Sequence, residues 1–305
     1  MGEMRRVTGD RSCWLPGHML IGRSPSCQLR LQDKRVSGEH ARLSFHEGAW
    51  KLRDLGSRNG TTVDGQPLAP GQTISLSEGC TVCFGSAGEG WVLSSAAPPV
   101  AMAVSADGVT VRAEGGFLAL PGDQSPEVCI YQQDSGEWVA DKADDLSEVS
   151  DLAPLTAGGR QWVLHLPQGL AATWMPKGKR QPRLETLRFR FAVSPDEEHV
   201  AIYTQSPAQE ARLPSRAHDY MLLTLARARL RDRLAGCSTA EEGWLHVLDL
   251  CRMLRIDENK LSVDIYRARK VLGAQGIQGA PGLIERRRTS RQVRLGVEQL
   301  AVDTL

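Results

Sequence analysis

Leu52-Arg53-Asp54-Leu55-Gly56-Ser57-Arg58-Asn59-Gly60-Thr61-Thr62-Val63-Asp64-Gly65 is the stretch that decides the fold of the N-terminal third of this 305-residue chain. Within it, Asn59-Gly60 is a hairpin turn signal, since both residues tolerate positive φ. Around it lie short apolar runs separated by Gly, Asn, Asp and Pro: His18–Ile21, Gln28–Leu31, Ala41–Phe45, Trp50–Arg53 and Thr73–Leu76. Evenly spaced short strands with turn signals predict an all-β sandwich or barrel. No amphipathic helical period of useful length interrupts them.

Two further pieces precede that stretch, Gly22-Arg23 and Ser37-Gly38-Glu39-His40. In this order and spacing, over residues 4–95, the set closely resembles the forkhead-associated (FHA) domain. The resemblance implies an eleven-stranded sandwich whose loops at one end bind a phosphothreonine peptide. Residue chemistry points the same way. A phosphate carries about −1.5 to −2 charges and three strong acceptor oxygens. The Arg23 guanidinium fork matches that geometry, and Ser37 supplies a compact hydroxyl. Asn59 can both accept from and donate to a peptide backbone. By the resemblance, Ser57 and Arg58 flank the ligand, while Gly22, His40 and Gly60 shape the loops without touching phosphate. At position 38, where the family often carries Arg or Lys, this chain has Gly. That removes a common phosphate contact, for which Arg35 or Arg58 could substitute.

Composition sets the outer bounds. At roughly 100–200 residues per domain, the length predicts two or three domains. Hydrophobic residues make up 41% and charged residues 24%, the balance of a soluble globular protein. No apolar run approaches the ~18 residues that span a bilayer, so no membrane partner is expected. Met1–Arg6 has no apolar core after its charges and does not read as a secretory signal. Seven scattered cysteines argue against a disulfide framework and for a reducing cytoplasm. Cys80-Thr81-Val82-Cys83 lacks a second ligand pair at zinc spacing and reads as a buried strand, not a metal site. With no nucleophile–base pair and no Gly-rich phosphate loop, neither an enzyme nor a cofactor is expected.

Charge is unevenly distributed. Residues 1–96 hold 11 basic and 9 acidic side chains, 97–176 hold 3 and 11, and 260–294 hold 9 and 2. The predicted domains are an FHA module at 1–96, an acidic β-rich middle region at 97–176, and an α+β module at 177–305. Ala96-Ala97-Pro98-Pro99 marks one boundary, and Met175–Gln181 reads as a linker.

The last module reads strand, strand, three helices, hairpin. The strands centre on Leu187–Val193 and Val200–Tyr203. The helices are predicted over 216–234, 241–254 (with Ser238-x-x-Glu241 as capping box) and from Asp257 to about Leu272. In the third, Leu261, Ile265, Ala268 and Leu272 form one apolar face. A rotation of 100° per residue puts Val263, Tyr266, Arg267 and Lys270 opposite, with Arg269 on a flank.

Val263–Leu272 resembles the recognition helix of OmpR-like winged helices, and Leu283–Gly296 resembles the wing. The resemblance covers 183–300 and implies double-stranded DNA as a partner. The expected contacts are Lys260, Val263, Tyr266, Arg267 and Lys270 from the helix, and Arg286, Arg287, Arg288 and Arg291 from the wing. A net +7 over 260–294 is the footprint of nucleic-acid contact.

The function expected from these parts is a cytoplasmic, phosphothreonine-dependent transcriptional regulator. Its FHA module would bind a phosphothreonine-containing protein, a Ser/Thr kinase or its substrate. That event would recruit the winged helix to its operator, expose it, or join two copies into a homodimer. The acidic middle block is expected to mask the basic helix at rest. The alternative is a phosphopeptide-binding adaptor in a kinase-signalling or secretion assembly, with a winged helix that binds protein.

Overall fold

The computed structural model describes residues 1–142, 145–167, 182–206 and 210–304. The chain divides into two compact units, one containing Met1–Val104 and the other Ser105–Trp162 with most of the C-terminal half. The linker expected at Met175–Gln181 lies outside the described residues.

Among the described residues, two sheets of the first unit are built from eleven strands: β1 (Glu3–Arg6), β2 (Ser12–Trp14), β3 (His18–Gly22), β4 (Leu29–Arg30), β5 (Ala41–His46), β6 (Ala49–Asp54), β7 (Thr61–Val63), β8 (Gln66–Pro67), β9 (Thr73–Leu76), β10 (Thr81–Phe84) and β11 (Gly90–Ser95). They form a six-stranded sheet, β2-β1-β11-β10-β7-β8, and a five-stranded sheet, β4-β3-β5-β6-β9. Strand alternation explains how they pack. In β6, Trp50, Leu52 and Asp54 point inward, while Lys51 and Arg53 lie on the other face. The inward sets of both sheets meet in one core that includes Met4, Ile21, Leu43, Trp50, Val82 and Trp91. Trp50 is fully buried, and its Nε1–H donates to the Ala97 carbonyl at 3.2 Å, as a buried indole requires.

The chain then runs through β12 (Met102–Ser105), β13 (Thr110–Arg112), β14 (Phe117–Leu120), β15 (Val128–Gln132), β16 (Trp138–Lys142), β17 (Asp145–Glu148), β18 (Pro154–Ala157) and β19 (Arg160–His165). Strands β14 to β17 form an antiparallel meander. Next come β20 (Arg188–Val193), β21 (Val200–Gln205), β22 (Glu210–Arg212), α1 (Asp219–Leu234), β23 (Leu245–His246), α2 (Val247–Leu254), α3 (Glu258–Ala274), β24 (Ile284–Arg287), β25 (Gln292–Leu295) and β26 (Gln299–Thr304). Strand β26 returns to pair in parallel with β20, and β23-β25-β24 form a small sheet.

Three expectations are corrected here. Residues 97–176 are not a region of their own but are shared between the two units. Phe117, Ala119, Cys129, Tyr131 and Val139 of the meander sit in the same core as Phe189, Phe191, Leu223, Ile265 and Leu272. The second helix starts at Val247, not 241. Gly243 adopts φ +80, and a Cβ there would lie 2.7 Å from the Arg229 Cβ. The backbone therefore turns at 243 before the helix begins, and the His246 side chain caps it by accepting from Leu248 N–H. The third helix is capped by Asp257, which accepts from Lys260 N–H at 2.7 Å. Its second face is buried or half-buried rather than open, and Tyr266, Arg269 and Lys270 on it meet carboxylates of the 114–141 segment.

Candidate functional site

At one end of the first unit, the β3–β4, β4–β5 and β6–β7 loops are tied together by a small set of hydrogen bonds. Arg23 N–H donates to the Ser37 carbonyl at 2.9 Å, and its Nε–H to the Val36 carbonyl at 3.2 Å. The base of the guanidinium is thereby aimed. Its two terminal nitrogens have no partner among the described residues and face solvent. Gly22 permits this geometry, since a Cβ there would sit 2.2 Å from the Gly38 carbonyl oxygen.

Ser37 Oγ accepts from Arg58 N–H at 3.0 Å, which joins the second loop to the third. Asn59 Nδ2 donates to the Arg35 carbonyl at 2.7 Å and leaves its Oδ1 as an acceptor. Arg58 and Asn59 are exposed.

His40 is fully buried behind these loops. Its Nδ1 accepts from Ser37 N–H at 3.0 Å, so Nε2–H donates to the Gly60 carbonyl at 3.1 Å. The ring stands edge-on to Phe84. Burial pushes its pKa below the usual histidine value, against the Gly60 hydrogen bond and nearby Asp54, which raise it. The ring therefore braces the loops in its neutral form, and Gly60 adopts φ +76 beneath it.

Asp54, which sequence reasoning did not single out as a site residue, organises the third loop. Only 1% exposed, it accepts from the Gly56 and Ser57 amides at 2.8 Å, and from the Ser57 and Thr61 hydroxyls at 2.6 Å. Burial pushes its carboxyl up, but these four donors outweigh burial and hold it below the ordinary carboxylate range. The Asp-x-Gly-Ser spacing, an Asx-turn signal, could have revealed it. The Ser57 hydroxyl, expected to flank the ligand, is committed to Asp54.

Arg35 grips Asp33 with Nε and one Nη at 3.2 and 3.0 Å. That grip, with Ser86 behind it, holds the Asp33 carboxyl down at about 2. Of the two arginines that could substitute for a basic residue at position 38, Arg58 is the unengaged one.

The basic candidates of the second unit are arranged quite differently. Tyr266 is 3% exposed, and its hydroxyl donates to Asp123. Lys270 pairs with the same Asp123 and with Glu114. Arg269, 4% exposed, donates to Asp141 at 2.9 Å and to the Ile284 carbonyl at 2.8 Å. Arg288 reaches the other Asp141 oxygen at 3.3 Å. Lys260 pairs with Asp264, and Arg291 with Glu258. Arg287 pairs with Glu241 and stacks on Trp244, 4.2 Å from the ring centroid. Arg286 lines a cavity of about 410 Å³ beside Arg269, Arg288 and Trp244. Val263 and Arg267 are half-buried, and Arg267 has no hydrogen-bond partner among the described residues. The basic stripe on α3 is thus largely covered.

Residues 19–85 match the family described as FHA domain. The first unit carries an FHA domain. FhaB of Mycobacterium tuberculosis is 43% identical over 58 residues, which is 19% of this chain and 37% of that protein. Protein phosphatase 2C 70 of Arabidopsis thaliana is 26% identical over 146 residues, 43% of this chain and 24% of that protein. The chain therefore spans well under half the length of these curated relatives. A solved FhaA FHA domain, in complex with the intracellular domain of Rv3910, is 29% identical. It covers 30% of this chain and 98% of its own, with a TM-score of 0.28. Among the described residues no helix is long and apolar enough to cross a membrane.

Proposed function

We propose that this chain is a phosphothreonine-dependent regulator, whose FHA domain docks a phosphorylated protein and whose second unit binds double-stranded DNA as a winged helix. One observation carries the first half. The Arg23 guanidinium, aimed through Nε and open at its terminal nitrogens, lies on loops with Ser37, Arg58 and Asn59 that Asp54 and His40 hold in place. Two open terminal nitrogens on an aimed fork suit phosphate oxygens, at roughly 1.5–3 kcal/mol per charge-assisted bond. Arg23→Ala should therefore abolish pull-down of phosphothreonine peptides and leave thermal unfolding unchanged. Retained pull-down would remove this reading.

The DNA half is supported by the element order of the C-terminal part, by the Asp257-capped α3, and by the basic excess on α3 and the β24–β25 hairpin. Its test is a gel shift with duplex DNA, in which affinity falls steeply with salt and weakens for Arg267→Ala.

The adaptor reading is favoured by a different observation, that a protein sheet already lies on α3. Salt-independent or absent DNA binding by a chain whose α3 is uncovered would favour the adaptor.

A further inference from the structure

We propose that the acidic β14–β17 meander is an intramolecular cover for a nucleic-acid-binding face, occupying on α3 and β24–β25 the positions that phosphates would take. The proposal rests on the DNA reading above and adds how that binding is held off.

Three basic groups of this face, Lys270, Arg269 and Arg288, are met by carboxylates from a segment more than a hundred residues earlier, while Lys260, Arg287 and Arg291 pair with carboxylates nearer in sequence. Glu114 and Asp123 meet Lys270, Asp123 also accepts from Tyr266, and Asp141 bridges Arg269 and Arg288. The turn that leads into β14 follows the helix closely. A Cβ added at Gly273 would lie 1.9 Å from the Gly115 carbonyl oxygen, and one at Gly115 would lie 2.8 Å from the Lys270 carbonyl oxygen.

A face that served only as packing surface would do as well or better with apolar residues, because desolvation cancels most of the gain from a buried ion pair. Arg, Lys and Tyr in this pattern suit a second anionic partner. A duplex supplies phosphates along a groove that admits a helix.

The cover also has a rim and a centre. At the rim, the side chains of Asp123 and Glu114 are 45% and 68% exposed, so a polyanion can compete there. At the centre, the side chains of Arg269 and Asp141 are each 5% exposed. Release is therefore expected to begin at Lys270 and end at Arg269.

The test uses the full chain, a labelled random-sequence duplex and two independent openings. Asp123→Asn with Asp141→Asn removes charge without changing shape. Gly273→Ala pushes the meander away without touching charge, at a helical position where Ala is favoured. Circular dichroism confirms that each variant is folded. Both should bind duplex at least roughly tenfold more tightly than wild type, since an uncompensated buried Arg or a steric clash each costs more than one decade of closure. Backbone amide exchange across Glu258–Ala274 should rise in parallel.

Equal affinity of wild type and both variants overturns the cover and leaves the DNA reading standing. Faster exchange without any duplex binding overturns the DNA reading and the cover with it. Unchanged exchange in both variants shows that these groups do not hold the meander in place, and also overturns the proposal.

Discussion

The two basic regions of this chain put the same side chains to opposite uses. In the loops of the first unit, Arg23 is aimed by backbone carbonyls and its terminal nitrogens are left open. In the second unit, Arg269, Arg288 and Lys270 are consumed by Asp141, Asp123 and Glu114. Formal charge does not distinguish the two regions, and availability does. A carbonyl can orient a guanidinium without neutralising it, whereas a carboxylate does both. The first arrangement is ready for an anion, and the second must lose a partner first.

The sharpest way to test this contrast is to remove a carboxylate where the pairing is most buried. Arg229 is 1% exposed and donates to Glu242 at 2.7 Å, and to the Leu295 and Val297 carbonyls at 2.7 and 3.0 Å. Arg233 shares the same carboxylate. Glu242→Ala strands the Arg229 charge in the core, and such losses cost about 3–5 kcal/mol. Denaturant unfolding of the second unit should shift by that amount. Phosphopeptide pull-down should not change, because Arg23 depends on no carboxylate. If both units weaken together, the contrast between them fails.

How much of this was legible in the sequence follows from the range of the interactions. The first unit's strands and the Arg23, Ser37 and Asn59 set are local patterns, fixed by period-2 alternation and turn residues. For Asp54, the Asp-x-Gly-Ser spacing points to its local donors from Gly56 and Ser57, but its burial and the Thr61 hydroxyl bond exist only once the loop has closed. The early start given to the second helix rested on Ser238-x-x-Glu241. In the structure Glu241 instead reaches Arg287, and its neighbour Glu242 reaches Arg229. Helical periodicity correctly divided α3 into an apolar and a polar face. It could not show that Asp123 and Asp141, far upstream, would bury the polar one. Segment charge, acidic at 97–176 and basic at 260–294, was the one long-range hint.

Acid should separate the units by a somewhat smaller effect. Burial pushes His218 in the second unit down to about 4, with Asp264 opposing and Arg216, Lys260 and Arg267 reinforcing the shift. A histidine with a lowered folded-state pKa takes up its proton more readily when unfolded. Its contribution is thus fully present above pH 6.5 and is lost as pH falls toward 4. The loss amounts to about 3 kcal/mol over that window. His40 acts in the same direction in the first unit, where protonating Nδ1 would also turn the acceptor of Ser37 N–H into a donor. His218→Gln should flatten the acid limb of the second unit's unfolding and leave the first unit's limb unchanged. An unaltered limb would show that the imidazole is not the titrating group.

The smallest effects belong to the surface arginines around the loops that carry Arg23, Ser37 and Asn59, and they test availability within a single unit. Arg58 is exposed and its side chain has no partner among the described residues, whereas Arg35 is gripped by Asp33. Arg58→Ala should therefore weaken phosphothreonine-peptide binding several-fold, on the scale of about 1 kcal/mol for one exposed charged contact. Arg35→Ala should do less, because its backbone carbonyl, which holds Asn59, remains in place. Gly38 faces open space, with nothing within 4 Å of an added Cβ. Gly38→Arg should thus add a phosphate contact and tighten binding by a similar factor. Titration of the three variants with one phosphothreonine peptide gives the order directly. A larger loss for Arg35→Ala than for Arg58→Ala would mean that carboxylate pairing does not take an arginine out of use, and the contrast between the two units would then need another cause.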